Sequence, residues 1–102
     1  MERRLDLNRK LREILGSDYV YFNPPENVKI HYPCIIYNRE NSDHVFANNK
    51  MYQHYKQYQI TVIDRNPDSD ISDRLLTNLE YCSFNRFYVY DELNHWVLRL
   101  FY

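Results

Sequence analysis

The stretch that decides the fold runs from residue 55 to residue 79 and reads YKQYQITVIDRNPDSDISDRLLTNL. Its first part alternates apolar and polar residues with a period of two, which is typical of a strand with one buried face. Beyond a turn at 66–68, apolar residues recur at the spacing of a helix. The apolar positions are Tyr58, Ile60 and Val62 in the strand, and Ile71, Leu75, Leu76 and Leu79 in the helix.

Upstream of this stretch, the sequence predicts one helix and two strands. Apolar residues spaced by three and four positions predict a helix over 2–15, and Gly16 follows where helices commonly end in a left-handed cap. Short runs of β-prone residues predict strands over 19–22 and 32–37. The second run is apolar on both faces, which indicates a strand in the interior of a sheet.

Downstream, the sequence predicts two more strands, over 85–90 and 95–102, joined by a turn at 91–94. The element order is therefore α-β-β-β-α-β-β. Strands joined by short turns favour an α+β fold with a mostly antiparallel sheet of four to five strands. We expect both helices on one face of that sheet and a single domain over 1–102.

The composition favours contact surface over catalysis. Tyrosine occurs 11 times, whereas Gly16 is the only glycine. Loops that bind phosphate through backbone N–H groups need several glycines, so the chain cannot form one. Tyrosine is enriched in protein interfaces. With a net charge of -1, the chain has no global field that would attract nucleic acid or anionic lipid.

A polar segment at 41–54 separates the second and third predicted strands. It holds too few apolar side chains to build a core of its own, so we expect a flexible loop that orders on contact with a partner. The residues of this loop that we expect to meet the partner are Phe46, Asn48, Asn49, Lys50, Met51 and Tyr52.

Acidic residues around the second helix invite a metal hypothesis. Positions 64, 66 and 68 match the start of a calcium-binding EF-hand loop, but Ser69 and Leu75 stand where that loop needs glycine and glutamate. We interpret the segment instead as a turn followed by a helix capped by Asp68 or Ser69. Asp70 and Asp73 then lie in its first turn, where the helix dipole favours negative charge. No metal or cofactor site is predicted.

Three further classes of function are catalysis by a thiol, insertion in a membrane and binding of nucleic acid. Cys34 and Cys82 are expected to be buried, unreactive thiols, and no nucleophile with an adjacent base is apparent, so we do not expect an enzyme. No apolar run approaches the length of a membrane span, and none follows the start as in a signal peptide. Stacking of bases on Tyr21, Tyr37 and Tyr58 keeps a single-stranded nucleic-acid-binding module open as an alternative.

The chain contains four phrases in a particular order: residues 32–37, 58–64, 67–69 followed by 73–76, and 91–95. Taken together, these phrases resemble the small tail terminator proteins of long-tailed bacteriophages, also called tail completion, minor capsid or neck proteins. The resemblance covers nearly the whole chain, although each phrase alone is an ordinary strand or turn pattern. The polar segment 41–54 varies in such proteins, so the resemblance assigns no roles to its residues.

The resemblance implies a structural virion protein and no enzymatic activity. Such proteins form a ring, expected here to be a homohexamer, that caps the tail tube, ends its polymerisation and meets the head-tail connector. The implied partners are further copies of the chain, the major tail tube protein and the head completion or connector proteins. Genomic DNA would pass through the lumen without specific binding, and Asp70 and Asp73 on the second helix are candidates to line it.

The implied location is the tail-neck junction of the virion, with the bacterial host cytoplasm as the place of assembly. The main alternative within this setting is another neck component, such as a head completion (stopper) protein or an adaptor protein. The nucleic-acid-binding module is the alternative outside it.

Overall fold

The computed structural model describes residues 2–40 and 55–102. Their order of helices and strands, α-β-β-β-α-β-β, confirms the predicted α+β fold. The elements are α1 (Glu2–Leu15), β1 (Val20–Phe22), β2 (Cys34–Arg39), β3 (Gln57–Asp64), α2 (Ile71–Asn78), β4 (Cys82–Tyr90) and β5 (Leu93–Phe101).

The five strands form one mixed sheet in the order β1-β2-β3-β5-β4. β1 runs parallel to β2, and every other neighbouring pair is antiparallel. β2 lies between two strands, as its apolar faces predicted. The edges of the sheet differ greatly in length, because β1 has 3 residues and β4 has 9.

The hydrophobic core lies between the two helices and one face of the sheet. The buried faces of α1 and α2 pack there against alternate residues of β2, β3 and β5. Tyr37 and Tyr58 belong to this core, so part of the tyrosine surplus is structural. Full burial of a leucine, isoleucine or valine side chain in such a core contributes about 1.5–3 kcal/mol. The other members are Leu7, Leu11, Leu15, Val20, Ile35, Ile60, Val62, Ile71, Leu75, Leu79, Leu98 and Leu100.

The end of α1 forms as its sequence predicts. Gly16 has a φ of 85°, and its N–H donates to the carbonyl of Arg12 at 2.8 Å. This is the left-handed helix cap for which glycine is favoured, because it has no Cβ to clash. A hydrogen bond links α2 to this end of α1: Nη1 of Arg74 donates to the carbonyl of Ile14 at 2.7 Å.

The start of α2 differs from the prediction that Asp68 or Ser69 caps it. Asp70 occupies the cap position, and its side chain makes no capping hydrogen bond. Asp68 belongs instead to the preceding turn, where its N–H donates to Oδ1 of Asn66 at 3.0 Å. The Ser69 hydroxyl accepts from the N–H of Ile71 at 3.4 Å, which is long for a capping bond.

The last hairpin is longer than predicted. Its turn has two residues, Asp91 and Glu92, with φ values of 54° and 62°, instead of the expected four. Two successive positive φ angles are what a type I′ turn requires, and its twist matches the twist of the flanking strands. β4 therefore reaches Tyr90 and β5 starts at Leu93, while β4 begins at Cys82 and contains a bulge at Asn85.

Within residues 2–40 and 55–102, neither helix has the length and apolar character needed to cross a bilayer.

Candidate interaction surface

The outer edge of the sheet at β4 is the most exposed apolar surface among the described residues. Among the strands of residues 2–40 and 55–102, β4 pairs with β5 alone, and every residue from Ser83 to Tyr90 is exposed. Five of these side chains are large and hydrophobic, which is unusual for a free edge. We call this set the β4 edge: Phe84 (51% exposed), Phe87 (46%), Tyr88 (40%), Val89 (59%) and Tyr90 (71%).

Aromatic pairs with β5 hold the side chains of β4 in place. On the helix side of the sheet, the ring of Phe87 lies against Trp96 with centroids 5.2 Å apart and planes tilted by 53°. On the opposite side, the ring of Tyr88 stacks on His95 with centroids 4.5 Å apart. Such pairs contribute about 0.5–1.5 kcal/mol beyond the area that they bury. The β4 edge is thus an ordered surface with aromatic groups on both faces.

Charge is nearly absent from this strand. Arg86 is the only charged residue in β4, and its guanidinium lies over the Tyr88 ring at 5.7 Å. The two acidic residues of the hairpin, Asp91 and Glu92, are confined to the exposed turn. Natural proteins usually protect free edges with charges, prolines or short strands. A long apolar edge with a single charged residue is typical of a surface that another chain covers.

A second surface lies at the N-terminal half of α1. The guanidinium of Arg3 lies over the rings of Tyr55 (5.1 Å) and Tyr102 (5.6 Å), and Nζ of Lys10 lies 5.1 Å from the Tyr102 ring. These side chains line an open cleft of about 420 Å³. Asp6 lies between them and accepts a hydrogen bond from the Tyr102 hydroxyl. The hydrogen bond from Tyr102, followed by that from Arg9, lowers the pKa of Asp6.

This cleft is a poor nucleic-acid site because its charges largely cancel. Asp6 and Glu80 lie on the same lining as Arg3 and Lys10. Binding of single strands needs a basic groove with accessible aromatic rings.

Of the three tyrosines proposed to stack bases, two are inaccessible. Tyr37 is fully buried and Tyr58 is 2% exposed. Tyr21 is half-buried, and its hydroxyl accepts from the backbone N–H of His31. Bases therefore cannot stack on Tyr37 or Tyr58, two of the three rings that the nucleic-acid hypothesis requires.

The two cysteines are free thiols in apolar surroundings. Cys34 is buried as predicted, and burial raises its pKa to about 12. Cys82 is half-buried, which corrects the prediction of full burial, and desolvation raises its pKa to about 11. A thiol is nucleophilic only as thiolate, so neither group is activated. Over the part of the chain that the structure describes, no three His, Cys, Asp or Glu side chains cluster as metal ligands.

The site residues expected from the sequence fall in two places. The proposed contact residues Phe46, Asn48, Asn49, Lys50, Met51 and Tyr52 lie outside the described residues, as does the whole segment 41–54. Asp70 and Asp73 are exposed at the start of α2, where Oδ1 of Asp70 lies 3.3 Å from Nη2 of Arg74. They do not contribute to the β4 edge.

The β4 edge itself was missed by sequence reasoning. The signal was present in Phe87-Tyr88-Val89-Tyr90, where four consecutive apolar or aromatic residues break the alternation of a strand with one buried face. Such a run is equally consistent with an interior strand, and only the order of strands places it at the edge.

Comparison with known proteins gives no relative: no protein-family model, curated protein or solved structure matches this chain.

Proposed function

We propose that this protein is a structural virion subunit that caps the tail tube of a long-tailed bacteriophage as a ring, most simply a hexamer. In this role it ends tail polymerisation and forms the interface to the head-tail connector. The observation that supports an assembly role is the β4 edge, an ordered apolar surface that is exposed on a single subunit. The assignment to the phage tail rests on the resemblance of the ordered sequence phrases.

A ring subunit needs more contact surface than most monomers offer. In a ring of one chain type, each subunit presents two different patches to its neighbours, because the contact is heterologous and closes by rotation. It must also meet the tube on one side and the neck on the other. The β4 edge and the cleft beside α1 are two chemically distinct surfaces at which such contacts can form.

The segment 41–54 and the acidic start of α2 have supporting roles in this proposal. The residues that we assign to contact with the tail tube protein or a neighbouring copy are Phe46, Asn48, Asn49, Lys50, Met51 and Tyr52. Asp70 and Asp73, exposed on α2, would face the lumen. Carboxylates there would repel the phosphate backbone, so DNA would pass without being held.

The proposal is tested by removing the gene from the phage that encodes this chain and imaging the particles by electron microscopy. We expect full heads that lack tails, together with overlong or unfinished tails, and rescue by the wild-type gene supplied in trans. Finished tails beside leaking heads would instead identify a head completion (stopper) or adaptor protein. Normal virions from the deletion would refute both roles.

A second test uses the rescued particles. If the chain is labelled and supplied in trans, density or gold label should appear at the junction of tail and head. Label found only on the capsid or at the tail tip would contradict the proposal. A rescue gene lacking residues 44–52 should still give folded protein but tails of uncontrolled length.

A further inference from the structure

The hairpin geometry determines which backbone groups of β4 face outward. Tyr90 and Leu93 flank the two-residue turn and face each other as a pair. In an antiparallel ladder, residues that hydrogen-bond to the partner strand alternate with residues whose N–H and C=O groups point away. Because the pair at the turn is hydrogen-bonded, Phe87 and Val89 direct their N–H and C=O groups to the free edge.

The free groups lie in a segment that is well suited to pairing with another strand. Residues 86–90 are regular, since the bulge at Asn85 lies outside them. The opposite edge of the sheet cannot provide a matching partner in a second copy, because β1 has only 3 residues. The edge of equal length and chemistry in a second copy is β4 itself.

We infer that, in the free protein, β4 of one copy pairs antiparallel with β4 of a second copy about a two-fold axis at Tyr88. In this register Phe87 lies opposite Val89 of the second copy, and both contribute outward-facing backbone groups. Tyr88 lies opposite Tyr88. The two sheets join into one ten-stranded sheet with all helices on the same face.

Charge is compatible with this register and disfavours the register centred on Arg86. Arg86 lies opposite Tyr90 of the second copy, where a guanidinium over an aromatic ring is attractive. Asn85 lies opposite Asp91 of the second copy, which places no like charges together. A register shifted to centre on Arg86 would place two guanidinium groups opposite each other, and like charges in that arrangement are destabilising.

The side chains of the β4 edge supply more than half of the area that a standard interface covers on each partner. Between 40% and 71% of each of its five side chains is exposed. With about 150–250 Å² for an aromatic side chain, the exposed part amounts to roughly 500 Å² per copy. A standard interface covers about 800 Å² per partner, and the strand backbone with its flanking residues adds to the side-chain area.

This inference goes beyond the proposed function and does not depend on it. A two-fold pair uses the same patch on both copies, so it cannot be the heterologous contact of a ring. The pair covers the β4 edge of the free protein and has to separate before that edge meets another partner. The proposed function is therefore tested by imaging phage particles, and the dimer is tested separately by the mass of the protein in solution.

The first experiment measures mass in solution by size-exclusion chromatography with light scattering. We expect a species of twice the chain mass of 12.7 kDa. Val89→Lys places a charge on the edge and should convert the dimer to a folded monomer, because Val89 is 59% exposed in the single subunit. Val28→Lys is the matched control, since it alters an exposed valine in the loop between β1 and β2, outside β4, and it should remain dimeric.

The second experiment tests the register by oxidative crosslinking. In the proposed register, Tyr88 of one copy and Tyr88 of the other form a non-hydrogen-bonded antiparallel pair. The Cα atoms of such a pair are about 4.5 Å apart, a separation that a disulfide can span. Tyr88→Cys should therefore form a crosslinked dimer. Tyr90→Cys is the control on the same strand. Residue 90 is more exposed than residue 88, but in this register residues 90 of the two copies are offset by four positions along the strands, which is about 13 Å.

A monomer at every accessible concentration would overturn the inference, and so would a dimer or larger oligomer that Val89→Lys leaves intact. Crosslinking of Tyr90→Cys as efficiently as Tyr88→Cys would overturn the register. Circular dichroism of each variant separates loss of pairing from loss of folding, and if Val89→Lys does not fold, the crosslinking pair still decides the matter.

Discussion

The side-chain amide of Asn8 in α1 donates a hydrogen bond of 2.8 Å to the phenol oxygen of Tyr37 in β2. The Tyr37 ring is fully buried and contacts the rings of Phe22 and Tyr58, with centroids 4.9 Å and 6.0 Å away. One tyrosine thus contributes both apolar area to the core and a polar link to the helix above it.

Tyr37→Phe keeps the ring and removes the hydroxyl, so it tests the polar link alone. We expect a loss of about 1 kcal/mol in the free energy of unfolding, because the half-buried Asn8 amide loses its acceptor. Urea unfolding followed by circular dichroism measures it. Tyr19→Phe, on an exposed tyrosine, is the control and should change stability by less than about 0.5 kcal/mol. Equal effects of the two changes would contradict this role of the hydroxyl.

Arg74→Met should loosen the contact between the two helices. The change removes the guanidinium that donates to the Ile14 carbonyl at the end of α1, but it keeps much of the apolar stem. A hydrogen bond from a charged donor to a helix C-terminus predicts a loss of about 1–2 kcal/mol, measured by thermal or urea unfolding.

Asp70→Asn is the control for Arg74→Met. It keeps the link to Ile14 and removes the exposed ion pair of Arg74 with Asp70, together with one negative charge at the start of α2, which should matter by less than about 1 kcal/mol. If Asp70→Asn is as destabilising as Arg74→Met, the ion pair and not the link to Ile14 is the important contact.

Asp6 should make stability depend on acid pH. Hydrogen bonds from Tyr102 and Arg9 lower its pKa in the folded protein, so the unfolded chain binds its proton more readily. The stabilisation is therefore complete above the unfolded pKa of about 4 and is lost as the pH falls through the lower folded pKa. Urea unfolding across this range, with Asp6→Asn for comparison, measures the effect. Identical pH dependence in the two proteins would disprove it.

Both thiols should resist alkylation in the folded protein. With pKa values raised to about 12 for Cys34 and about 11 for Cys82, little thiolate exists near neutral pH. Mass spectrometry after brief iodoacetamide treatment should show no adduct in buffer and two adducts in urea. Val28→Cys, which adds an exposed thiol, should gain one adduct in buffer. Rapid labelling of Cys34 in the folded chain would contradict the burial argument.

How well the fold could be predicted depended on the type of pattern. The apolar spacing of α1 and the alternation of β3 each identify a buried face directly, because helix and strand periods differ. The last hairpin was placed less well, since its turn is made by Asp91 and Glu92 at positive φ without the glycine or asparagine that usually marks such turns. The cap of α2 was misplaced because three neighbouring polar residues compete for that role, and the sequence does not rank them.

The candidate site was harder to predict than the fold. Tyrosine content indicated contact surface, but it could not separate the buried Tyr37 and Tyr58 from the exposed Tyr88 and Tyr90. Immediate sequence neighbours do not separate them either, because the buried Tyr58 lies between two glutamines and the exposed Tyr88 lies between Phe87 and Val89. Their burial differs because, in the sheet that the structure describes, β2 and β3 have strands on both sides, whereas β4 has a neighbouring strand on one side.

The sequence by itself determined the kinds of elements and their order, because hydrophobic periodicity is a local property of the chain. It also determined the cap at Gly16, since a left-handed helix end is a matter of backbone sterics. Only the tertiary structure decided that β5 inserts between β3 and β4, which leaves β4 as the free edge. Strand order depends on contacts between residues far apart in the chain, and no local pattern records them; for that reason the exposed aromatic edge became visible only in three dimensions.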